Sequence, residues 1–167
     1  MRKTINCFIP YEENTAIDKV VTALKDSIVV NKIYLLTTAH GSMPSVPAGC
    51  EPFTIDSLNS SDTIKKIAQK ADTPFTLLYT KASPFELGYM ALERIADFLQ
   101  DRKTGMVYAD HYEWKEGEKK KHPAIDYQPG SVRDDFDFGA LLAFRSEYLI
   151  GAASECQQSP EVKVIAY

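Results

Sequence analysis

Cysteine is scarce in this 167-residue chain. Cys7, Cys50 and Cys156 make an odd number with no CxxC pair and no ligand-like spacing, so neither a disulfide framework nor a structural zinc site has a basis. Reduced thiols in a cytoplasmic compartment are the expectation. A surplus of positive charge is also missing: 19 Lys plus Arg stand against 23 Asp plus Glu, for a net charge of -4. The phosphate attraction on which non-specific nucleic-acid binding draws therefore lacks support. No apolar run reaches the roughly 18 to 20 residues of a membrane-spanning helix, and Met1-Arg2-Lys3 leads straight into a strand pattern rather than a signal-peptide core. Repeats and low-complexity tracts are absent, and the run Lys119-Lys120-Lys121 reads as a solvated strand edge. What is left suits one core of ordinary size, so residues 1–167 are expected to form a single domain.

What is present is an alternation of strand and helix patterns. Thr4 to Pro10 is a short apolar strand closed by its proline. Asn14 or Thr15 is placed to cap a helix with Ile17, Val20, Val21 and Leu24 at i, i+3, i+4 and i+7. Ile33 to Thr38 reads as a second strand, Pro52 to Ile55 as a short third, and Ser60 or Ser61 opens a helix striped by Ile64, Ile67, Ala68 and Ala71. The best-marked stretch follows. Phe75 to Tyr79 is an apolar run between prolines, as in a strand covered on both faces. Ser83, Pro84 and Glu86 then form a capping-box signature, which predicts a helix from Pro84 with Leu87, Met90, Ala91, Ile95, Phe98 and Leu99 on one face. This order favours an α/β fold with a mostly parallel, right-handed sheet flanked by helices. In such sheets ligands bind beyond the carboxyl ends of the strands, which points to Tyr79, Thr80 and Lys81.

Gly105 to Asp110 continues the pattern as a strand ending in a carboxylate. His111 to His122 then alternates about Glu116-Gly117, predicting a projecting β-hairpin with His111 opposite His122 and Trp114 opposite Lys119. A charged loop, Gly130 to Gly139, feeds the apolar strand Ala140 to Phe144; Ser146 is placed to cap a short helix, and Val162 to Tyr167 reads as a strand cut off at its end.

The order of elements, with Ile9-Pro10-Tyr11, Tyr79-Thr80-Lys81, Met106 to Asp110 and Arg133 to Gly139, resembles the family 2 glycosyltransferases of GT-A fold. The resemblance spans roughly the whole chain as the nucleotide-sugar-binding half of such an enzyme. It implies a Rossmann-like sheet of the nucleotide-diphospho-sugar transferase type. The activity implied is transfer of a sugar, often from a UDP sugar, to a hydroxyl of a carbohydrate or lipid-linked acceptor. It also implies that the turn Pro10-Tyr11-Glu12 lies beside the nucleotide base. Three departures stand out. Thr37-Thr38-Ala39-His40 replaces the family's acidic pair after the second strand. Thr80-Lys81-Ala82-Ser83 replaces the aspartate motif that would hold Mn or Mg. The catalytic-base segment would lie beyond Tyr167, so the chain is expected to be the N-terminal part of a longer protein.

A departing diphosphate develops negative charge that a metal ion or fixed donors must neutralise. The expected donors are Lys81 and the start of the helix opened by Ser83 and Pro84; the competing reading makes Lys81 a surface lysine. Asp110, at a strand's carboxyl end, is the second catalytic candidate, suited to a ribose hydroxyl or a cation and otherwise a solvated turn residue. Pro10, Tyr11, Glu12, Thr38, Thr80, Arg133, Asp134 and Asp135 complete the expected nucleotide-sugar contacts. Asp137, between two phenylalanines, reads as structural, and His111, Glu113 and His122 as surface groups rather than zinc ligands. Nucleotidyl transfer on a related sheet fits less well, since no glycine-rich basic loop follows the first strand. A non-catalytic nucleotide- or glycan-binding module is the alternative from another class.

Overall fold

Two strands whose every residue is buried sit side by side at the centre of the sheet: β1 (Ile5–Pro10) and β4 (Phe75–Tyr79). The computed structural model describes residues 3–12, 16–38, 45–124, 130 and 136–156. β1 pairs in parallel with β4, Ile5 facing Phe75 and Phe8 facing Leu78, and on its other side with β2 (Val30–Thr38). β3 (Glu51–Ile55) adds to β2 in parallel. Beyond β4 come β8 (Leu141–Arg145) and β5 (Met106–Val107), giving the order β3-β2-β1-β4-β8-β5.

The period-two alternation of the strands divides the core into two layers. Ile5, Cys7 and Ile9 face α1 (Asp18–Asp26) and α3 (Ala91–Gln100), meeting Val20, Val21 and Leu24 of the one and Leu92, Ala96 and Leu99 of the other. Phe8, Tyr34, Leu36 and Leu78 face α2 (Ser61–Gln69) and α4 (Ser146–Glu155) through Ile64, Ile67, Leu149 and Ala153. Phe8 stacks on Tyr34 at 4.8 Å between ring centroids, and Phe53 meets both rings edge-on. α1 joins β1 to β2 on one face, whereas α2 joins β3 to β4 on the opposite face while the chain moves the other way along the sheet. The two crossovers therefore share one hand, in keeping with the strong preference of parallel βαβ units. The mostly parallel α/β architecture expected from the sequence is the one observed.

β8 runs antiparallel to both β4 and β5, so the sheet is mixed at this side. The apolar run 140–144 carries no mark of strand direction; only the return from the hairpin fixes it. The hairpin itself forms as expected: β6 (His111–Lys115) and β7 (Glu118–His122) pair antiparallel with His111 against His122 and Trp114 against Lys119. Glu116 and Gly117 both have positive φ, as a two-residue turn of this kind requires.

The third helix differs from its sequence signature. It starts at Ala91, after Met90 in the left-handed conformation, rather than at Pro84. Ser83 instead shares a hydrogen bond with the Tyr79 hydroxyl at 3.0 Å, Phe85 packs on the Tyr79 ring at 4.2 Å, and Leu87 joins the same core layer. Phe85 and Leu87, both half-buried against this layer, hold the segment out of the helix, and this packing outweighs the capping box. The buried face shifts in consequence to Leu92, Ala96 and Leu99, leaving Met90 and Phe98 exposed.

Smaller differences follow the same rule. The strand expected over 105–110 keeps only Met106 and Val107. Ser146 is the first residue of α4 rather than its cap, and its buried hydroxyl pairs with that of Thr76 at 2.8 Å. α2 does begin after a Ser60 cap, whose hydroxyl accepts from the Asp62 amide. The expected cap at Asn14 or Thr15 and the strand at 162–167 lie outside the described residues.

Candidate functional site

The order of strands reverses between β1 and β4, because the chain leaves β1 in one direction and reaches β4 from the other. Side chains at the carboxyl ends of such neighbours are not covered by a crossover, and a crevice results. On the α2 side of this crevice lies a cavity of about 340 Å³, near the lower end of the roughly 300–1,000 Å³ of ligand pockets. Its wall is apolar, formed by Leu36, Leu78 and Leu142 of the sheet, Ile64 and Ile67 of α2, and Phe138. Its polar groups are Asn59 and Thr63 at the start of α2, Thr80 and Lys81 after β4, and Asp137.

Each rim residue is held by its local chain. The Thr80 amide and hydroxyl both donate to the carbonyl of Ala140, at 2.9 and 3.2 Å, which ties the end of β4 to the start of β8. Asp137 accepts from the Gly139 amide at 2.8 Å. The Thr63 hydroxyl donates to the Ser57 carbonyl at 2.6 Å. Lys81 is about half exposed, and its ammonium lies 3.3 Å from Oε1 of Glu113 on the hairpin. Lys115 contacts the other oxygen of Glu113 at 3.0 Å. Hydrogen bonds from Lys115 and then Lys81 hold the Glu113 carboxyl at about 2, well below the ordinary carboxylate range.

The remaining sequence-predicted residues sit around this centre rather than in it. Pro10 ends β1 against Leu36, and Tyr11 packs on the α1 layer while its hydroxyl donates to the Ser45 carbonyl at 3.3 Å. Glu12 is exposed, as is Thr38 at the end of β2. Asp110 is exposed at the hairpin base, where it accepts from the Ala124 amide at 2.8 Å and lies 3.4 Å from Lys121. Those contacts, the amide first, hold its carboxyl below the usual range. None of these five residues lines the cavity. Arg133, Asp134 and Asp135 lie outside the described residues. The helix start expected to assist Lys81 is not at Ser83 and Pro84.

The end of β4 does not fit a divalent cation. It presents an ammonium where a carboxylate ligand would be needed, and among the described residues no three His, Cys, Asp or Glu side chains converge on one point. His111 and His122 stack on each other at 4.8 Å between ring centroids. Sequence reasoning missed Asn59, Thr63 and Phe138 as lining residues, since only the fold brings α2 and the segment before β8 to one crevice. Glu113 carried a local signal, its hairpin register, but its partner 32 positions away did not.

No protein-family model and no curated protein matches the chain. Among solved structures, the chain is similar to CMP:2-keto-3-deoxy-manno-octonic acid synthetase complexed with CTP, with a TM-score of 0.51 at 9% identity over 96% of this chain and 80% of that one. The likeness is one of fold. Among the described residues no helix is long and apolar enough to cross a membrane.

Proposed function

We propose that this chain binds a nucleotide sugar, a UDP sugar in the first instance, and acts as a family 2-like glycosyltransferase toward an acceptor hydroxyl in polysaccharide or glycolipid assembly. The observation that carries this reading is the cavity at the strand-order reversal, apolar within and bearing one ammonium, Lys81, at its polar rim. An apolar wall suits a flat ring, and a cationic rim suits phosphate. In the transfer the acceptor hydroxyl oxygen bonds to the anomeric carbon as the bond from that carbon to the diphosphate breaks, and the hydroxyl proton is released to water. Lys81 meets the charge that gathers on the departing oxygens. Thr80 fixes the strand end from which Lys81 projects. Outside the cavity lining, Pro10, Tyr11, Glu12 and Thr38 are proposed to meet the part of the nucleotide that extends beyond the rim, Arg133, Asp134 and Asp135 the sugar, and Asp110 a hydroxyl or a cation at the hairpin base.

The likeness of fold to a CTP-bound synthetase agrees with a nucleotide in this crevice. Calorimetric titration with UDP and UDP sugars, with and without manganese, tests the reading. Heat of binding that Lys81→Ala removes is the expected result, together with loss of metal-free turnover. Turnover unaltered in Lys81→Ala would take Lys81 out of the mechanism. One observation favours a second reading, a binding module without catalysis: Glu113 already neutralises the sole cation on the cavity rim among the described residues. Nucleotide binding without turnover would select it.

A further inference from the structure

The hairpin does not project freely; its inward face meets the cavity rim at three residues that line the cavity. Glu113 reaches Lys81 at 3.3 Å. His122 approaches Asp137 at 4.0 Å. His111 lies over Gly139, where a Cβ would stand 3.2 Å from its Nδ1. Glu113 is thus an anion placed by β6 at the position where a bound diphosphate would need a cation. Like charges held on one ammonium repel, so a carboxylate and a phosphate there compete rather than cooperate.

We propose that Glu113 is the resident counter-ion of Lys81, displaced when a diphosphate enters the cavity, so that donor affinity is set by this exchange and the hairpin loosens as the donor binds. The proposal rests on Lys81 being the diphosphate's cation. Two features make the exchange feasible. Lys81 is 54% exposed and therefore free to turn toward the cavity. Glu113, once released, keeps Lys115 at 3.0 Å on its own hairpin and is not left unpaired. Its carboxyl is held at about 2 and so remains charged throughout the neutral range.

The test is calorimetric titration of the full chain with UDP, comparing wild type, Glu113→Gln, Lys81→Ala and the double variant. Glu113→Gln keeps the shape of the side chain and removes the charge. It is expected to bind UDP at least about fivefold more tightly, the low end of ordinary coupling between two linked sites, and that gain is expected to vanish in the double variant. Hydrogen exchange of the amides of 111–122 is expected to quicken when UDP is added to wild type. Wild-type binding with Glu113→Gln no tighter, or with exchange at 111–122 unchanged or slowed, overturns the exchange and leaves the nucleotide reading standing. Absence of binding by both proteins overturns the two together.

Discussion

Glu113 shows how one carboxylate can connect a peripheral ribbon to a cleft. Its partners Lys115, Lys81 and His111 lie 3.0, 3.3 and 3.6 Å away, and the depressed carboxyl value reports the first two. The sign of the pH effect follows from that depression. A carboxyl held near 2 when folded and near 4.5 when free lends its stabilisation fully above 4.5 and loses it as pH falls toward 2. Trp114, the single tryptophan, sits on the same strand, so its fluorescence anisotropy is expected to stay constant above pH 4.5 and fall below it. A constant anisotropy down to pH 2 would show that this ion pair does not restrain the hairpin. The residue identities alone marked Lys81 and Glu113 as interesting for separate reasons, one as a stand-in for a metal motif and one as a weak zinc candidate; the contact between them belongs to the fold.

Among the elements, the hairpin was the most legible, because its turn and its register are settled within a dozen residues. Glu116-Gly117 supplies the positive φ of a two-residue loop, and period-two pairing does the rest. The third helix was the least legible. A capping box is a local preference of about 1 kcal/mol, and packing of Phe85 and Leu87 against Tyr79 and its layer outweighs it. The seam between hairpin and sheet depends on Gly139, which combines φ of +81 with His111 lying over it. Gly139→Ala is expected to cost about 1–3 kcal/mol in urea unfolding and to speed hydrogen exchange of the hairpin amides; a cost below a few tenths would mean that the loop relaxes without loss.

At the scale of the whole molecule, the end of the sheet opposite the cavity is tied by a buried amide. Asn6 is fully buried, donates to the Lys70 carbonyl at 3.1 Å and to Asp72 at 2.6 Å, and accepts from Asn31 at 3.0 Å. It thus joins β1, β2 and the connection from α2 into β4. Asn6→Ala is expected to lower stability by about 2 kcal/mol, since it leaves partner groups unsatisfied beside the void. A urea midpoint within error of wild type would deny that role. The sequence by itself determined the α/β alternation, the four strands of the parallel half and the hairpin register, since each rests on periodicity or turn chemistry among near neighbours. Only the tertiary structure decided the antiparallel course of β8, the late start of α3, and the crevice where Leu36, Ile64, Lys81 and Phe138 meet. Those depend on which distant surfaces exclude water together, and a local pattern carries no record of a partner sixty residues away.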